Sequence, residues 1–203
     1  MKTTLIFIMV FLTGLLSGCG KDDELVTLRT DSSAIARKRV GDLTFTLQIL
    51  NMQDKPQAVF QEGENFQFEF IIENTGEQDY TLPTPWYFPF HEDFFTLYRM
   101  TQESGGASKI GKSFTLGGNF LDAMLAEVPG KHAAVYTMPW LVETDSVYIM
   151  PTYLPHIEGA VERYYRVADN PVAPLRPGEY FTGATVKYSE TDSVRMEVSF
   201  SVE

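Results

Sequence analysis

Gly106-Ala107-Ser108-Lys109-Ile110-Gly111-Lys112-Ser113 matches literally the pattern of a phosphate-cradling loop, the sharpest chemical motif in the chain. Such a loop works when a buried parallel strand enters it and a helix leaves it, so that backbone amides and a helix dipole converge on phosphate. Here the exit is Phe114-Thr115-Leu116-Gly117-Gly118, and paired glycines oppose a helix. The segment therefore reads as a Gly/Ser-rich hairpin loop. Hydrolytic chemistry finds no support either. No Gly-x-Ser-x-Gly elbow occurs, and His91, His132 and His156 lie far apart without metal-type spacing. His91-Glu92-Asp93 is the one compact polar cluster beside an aromatic run; cation binding is the functional reading, against which it reads as a solvated loop. Acidic residues are spread too widely for spacing to single out a catalytic pair. The expectation is a non-enzyme without cofactor or metal.

More suggestive is Pro83-Thr84-Pro85-Trp86-Tyr87-Phe88-Pro89-Phe90-His91. The prolines forbid continuation of a strand ladder and stiffen the segment. Trp86, Tyr87, Phe88, Phe90 and His91 are thus candidate binding residues, presenting rings to a sugar or a partner protein. The competing reading has Trp86 and Phe90 plugging the open end of a sandwich. Trp140, Tyr148, Tyr153, Tyr164 and Tyr165 form a second aromatic-rich stretch open to the same two readings.

The elements that must position these groups are strands. The length of 203 residues suits one domain, and 44% hydrophobic with 21% charged residues excludes disorder and coiled coil. A net charge of −11 argues against a nucleic-acid partner, since nothing would neutralise phosphate. One cysteine excludes a disulfide framework. Leu43, Phe45, Leu47 and Ile49 alternate with Thr44, Thr46 and Gln48, which places the threonines on a wet face. Phe66, Phe68, Phe70 and Ile72 alternate with Gln67 and Glu69, and Val194, Met196, Val198, Phe200 and Val202 with polar residues. One buried and one wet face per strand is the pattern of antiparallel sheets in a sandwich. Turns are expected at Gly63, Asn74-Thr75-Gly76, Gly105-Gly106, Pro129-Gly130 and Pro177-Gly178. A short helical turn is expected over residues 121–127, where Leu121, Met124 and Leu125 share a face.

The run from Phe66 to Asn74-Thr75-Gly76, with Val128-Pro129-Gly130 and Leu175-Arg176-Pro177-Gly178-Glu179-Tyr180, resembles Ig-like accessory domains. The nearest named relatives by this resemblance are the BsuPI-like intracellular proteinase inhibitor domains, and it implies an all-β, Ig-like antiparallel β-sandwich. It covers roughly residues 43–203 and places turns without carrying inhibitory residues across. Residues 141–170 exceed what such a domain needs and read as one insertion.

The start of the chain carries an address. Lys2 precedes an apolar run over residues 5–16, too short to span a bilayer, and then comes Leu16-Ser17-Gly18-Cys19. This resembles the lipobox of bacterial lipoproteins, which implies cleavage before Cys19 and acylation of it, so that the lipid bilayer becomes a partner. Lys21-Asp22-Asp23 resembles the export signal of Bacteroidota-type lipoproteins and implies transport to the cell surface, the periplasmic face being the alternative. Residues 1–18 are thus expected to be a signal peptide, 19–40 a tether with one edge strand near residues 25–28, and 41–203 the Ig-like domain. Glu-Thr-Asp-Ser-Val occurs twice, at residues 143–147 and 190–194. Its Asp-Ser-apolar core resembles O-glycosylation acceptors of the same bacterial group, which makes Ser146 and Ser193 candidates. The expected function is non-catalytic binding of a protein or glycan at an outer membrane. The alternatives are a proteinase-inhibitor-like domain or a glycan-binding accessory of an uptake system.

Overall fold

Apolar alternation along the chain becomes the facing surfaces of two five-stranded sheets. The computed structural model describes residues 26–29, 34–85, 88–91, 94–101, 106–113, 125–142, 149–152, 163–166 and 172–203. With strands numbered along the chain, the first sheet runs β1 (Val26–Arg29), β2 (Ile35–Val40), β3 (Leu43–Asn51), β5 (Phe66–Asn74) and β10 (Ala133–Trp140). The second runs β4 (Val59–Phe60), β14 (Ser193–Val202), β13 (Gly178–Lys187), β7 (Leu97–Met100) and β8 (Ala107–Gly111). Among these neighbours only β4 and β14 run parallel. Two antiparallel ribbons complete the set: β6 (Tyr80–Pro85) with β9 (Leu125–Val128), and β11 (Ile149–Thr152) with β12 (Arg163–Arg166). The latter falls in residues 141–170. The protein is an all-β sandwich.

Register turns alternation into a core. Ile49, Phe68 and Met138 lie abreast, as do Leu47, Phe70 and Tyr136, and all six are buried. Phe200 of the facing sheet meets Phe66 at 5.2 Å and Phe68 at 6.4 Å between ring centroids. Phe94 meets Phe70 edge-on at 4.8 Å. Offset and edge-on rings add to the apolar burial that holds the sheets together.

Four expectations need correction. Residues 121–127 hold no helical turn in their described part, because Leu125–Val128 is β9, whose Ala126 and Val128 point inward while Leu125 and Glu127 are exposed. The short helix is instead α1 (Phe88–His91), with Pro89 in its first turn, where a missing N–H costs nothing. Thr46 is not on a wet face: it is 5% exposed, and its Oγ1 accepts a hydrogen bond from Arg37 Nε at 3.2 Å. The cause is β2. β1 forms the expected edge strand, but Ile35–Val40, read as tether, pairs with β3 and sets Arg37 opposite Thr46. Finally, residues 107–111 of the phosphate-loop match are not a loop. They form β8, an antiparallel edge strand laddered to β7, and Thr101 N–H donates to Gly106 O at 2.9 Å. An extended strand points successive amides to opposite sides, so they do not converge on a phosphate as the motif's loop requires.

The outer face of β5 carries one perturbed acid. Burial lifts the Glu69 carboxyl above its ordinary value; a hydrogen bond from Gln48 Nε2 at 2.6 Å opposes this, and nearby Asp54 adds to it. The folded state therefore holds the Glu69 proton to a higher pH than the unfolded state does. Stability from this group is full at low pH and is lost as pH rises through the folded value. Glu69→Gln, which can still accept from Gln48, should match the parent below about pH 4 and be the more stable protein at pH 7. Urea midpoints at both values check this, and a variant less stable at pH 7 would contradict the sign.

Candidate functional site

The sequence singled out residues 83–91, and the structure turns part of that segment inward. Phe88 is 3% exposed and packs edge-on against Phe94 at 5.2 Å and against Tyr136 at 5.5 Å. Its ring belongs to the core, so Phe88 is no presented binding residue. Phe90 and His91 contribute backbone to α1, while their side chains, like Trp86 and Tyr87, lie outside the described residues. Cys19, Lys21, Asp22, Asp23 and Ser146 also lie outside them. Ser193 is exposed at the start of β14, directly after the β13–β14 turn. In that turn Ser189 and Thr191 hydroxyls donate to Asp192 Oδ2, both at 2.8 Å, and hold its carboxyl below the usual aspartate range.

A cleft of about 430 Å³ opens elsewhere, lined from β7, β8, the end of β10, the run 172–176 and β13. That volume is in the range of small-ligand sites. Its cations are Arg99, Lys112 and Arg176, and its apolar wall includes Ile110, Val172, Pro174 and Leu175. The register explains how a cation reaches it. Arg99 pairs across the ladder with Tyr180, so both side chains share the inner face, where Leu97 and Thr182 are buried one pair further along. Arginine thus stands where alternation calls for an apolar residue. Its guanidinium carbon lies 5.9 Å over the Tyr180 ring, and Nη2 donates to the Pro177 carbonyl at 2.7 Å.

The backbone makes room for that side chain. Gly178 has φ +153, and a Cβ there would come within 3.0 Å of Arg99 Nε. The positive φ favours glycine here, and an added Cβ would make the guanidinium give by a few tenths of an ångström. Tyr180 donates its hydroxyl to the Arg176 carbonyl at 2.6 Å. Burial lifts the Tyr180 phenol above its ordinary value, Arg99 and Arg176 pull it down, and Glu62 pushes it up. Lys112 Nζ reaches the Pro89 carbonyl of α1 at 3.4 Å, which ties the cleft to the aromatic segment.

Trp140 forms another wall. It is 3% exposed and stacks on Phe66 at 6.1 Å with planes 8° apart. Its buried Nε1–H has no hydrogen-bond partner. An orphaned buried donor costs roughly 1–3 kcal/mol, which makes it a feature to be explained. Val172 N–H donates to Leu141 O at 2.9 Å, holding the run 172–176 against the strand that Trp140 ends.

Sequence reasoning named Trp140 in an aromatic-rich stretch and Lys112 in the phosphate-loop match, but not the site: these two share no motif with Arg99 and Arg176, and tertiary pairing alone gathers the four. The one available signal was Arg99 two residues beyond inward-facing Leu97, a break in the alternation. No protein-family profile, curated protein or solved structure matches the chain.

Proposed function

We propose that the chain is a lipoprotein held at a bacterial outer membrane by acylated Cys19, with an Ig-like sandwich that binds a ligand without transforming it. The observation that carries the binding half is the cleft, where three cations and an apolar wall that includes the Trp140 ring meet at the edge of the core. Together these offer recognition of an acidic group and shelter for an apolar one. The anchor half rests on Leu16-Ser17-Gly18-Cys19, because two or three acyl chains give durable attachment where one does not. Lys21-Asp22-Asp23 directs the anchored protein to the cell surface. Trp86 and Tyr87, directly before α1 in sequence, stay candidate binding residues on residue type alone, and Ser146 and Ser193 are glycan acceptors.

Cys19→Ala should move the protein from the detergent phase to the aqueous phase and release it from membranes. Unchanged partitioning would end the lipoprotein reading. Replacing Lys21, Asp22 and Asp23 together with alanine should leave the protein lipidated but shielded from protease added to intact cells. Equal protease access in this variant and the parent would reduce those charges to a tether.

A further inference from the structure

We propose that the cleft takes a carboxylate carried on a short apolar body, with the Arg99 and Arg176 guanidinium groups holding the anion. This deepens the binding reading above and rests on it. In a chain of net charge −11, neither Arg99 nor Arg176 forms an ion pair among the described residues. The described hydrogen bond of Arg99 uses one of its five N–H donors, at Nη2, and leaves the rest of its fork for a second acceptor. A planar guanidinium matches a planar carboxylate in two parallel hydrogen bonds, and partial burial strengthens them. Lys112 adds positive charge on the β8 side of the same cleft.

The remaining walls say what the carboxylate is attached to. Ile110, Val172, Pro174 and Leu175 offer aliphatic surface, and about 430 Å³ holds a small branched or aromatic group. Trp140 lines the same cleft, so its indole reports whether the cleft is occupied. Gly178 leaves the Arg99 guanidinium room, since an added Cβ would lie 3.0 Å from its Nε. Two sources present this chemistry: a free small organic acid, and the C-terminal carboxylate of a peptide behind an apolar residue.

The test uses the full chain in detergent, labelled with ¹⁵N at tryptophan, so that its two indoles, Trp86 and Trp140, give two N–H signals assigned through Trp86→Phe. The probes are 3-phenylpropionate for a free acid, N-acetyl-leucine for a chain terminus, N-acetyl-leucinamide as its neutral match, and inorganic phosphate. A saturable shift of the Trp140 signal with both acids supports the free-acid class; a shift with N-acetyl-leucine alone supports a chain terminus. Arg99→Gln should weaken either acid at least about tenfold, as loss of a charge-assisted pair does. Should Arg99→Gln fail to fold, Arg176→Gln, at an exposed position, carries the same test. Equal shifts with the amide or with phosphate, or unchanged binding in the folded variants, would overturn the carboxylate assignment and leave a cleft of other specificity. No shift with any probe would overturn the assignment and the binding role of the cleft together, while Cys19→Ala partitioning decides the anchor separately.

Discussion

Phe68→Ala should lower the free energy of unfolding by about 3–5 kcal/mol, the usual cost of a large-to-small change in a core that cannot collapse around the gap. Phe68 is fully buried and touches rings on three sides: Phe66 at 5.4 Å, Phe95 at 5.9 Å and Phe200 at 6.4 Å. Its neighbours are fixed by ladders in both sheets, so they have little freedom to close the cavity. One cysteine excludes an internal disulfide, and stability must come from this packing. Urea unfolding should show a lower midpoint with unchanged slope. A neutral result would mean that the inner face of β5 has been assigned to the wrong residues.

Gly130→Ala should cost about 3 kcal/mol, for the opposite reason. A Cβ at Gly130 would lie 2.2 Å from the Glu77 carbonyl oxygen and 2.4 Å from its carbon, both backbone atoms that cannot swing aside. The two turns that meet here are bolted together. Gly130 N–H donates to Asp79 Oδ1 at 3.0 Å, Lys131 N–H to Gly76 O at 3.0 Å, and Asn74 Nδ2 to the carbonyls of Gln78 and Val128 at 2.8 and 2.9 Å. Relief of the clash would break several of these at once. Gly63→Ala is the control. Gly63 has φ +87 but nothing within 4 Å of the added carbon, so only the backbone penalty of about 1–2 kcal/mol applies. If the two variants lose equal stability in thermal or urea unfolding, steric contact at Gly130 is not the cause.

The sequence by itself determined the all-β class and the inner faces of the long strands. Phe66, Phe68, Phe70 and Ile72, like Val194 to Val202, show their burial through a period of two, because a strand alternates its side chains whatever its partner. The turn at Pro129-Gly130 was legible because proline and glycine set turn geometry locally. Pairing partners were not legible, and the corrections follow from that. Thr46 is covered because β2 lies beside β3, and a phosphate-loop spelling became an edge strand because β7 supplied a ladder. Leu125 follows β6 into a strand, although its local spacing fitted a helical face. Phe88 turned inward because Phe70, Phe94 and Tyr136 offered it a place, while nothing in its own neighbourhood distinguished a plug from a presented ring. The cleft is the extreme case. Its cations come from β7, from just past β8 and from the run before β13, which lateral pairing brings side by side in one sheet, and Trp140 joins them from the other; periodicity carries no information about contacts that distant in the chain.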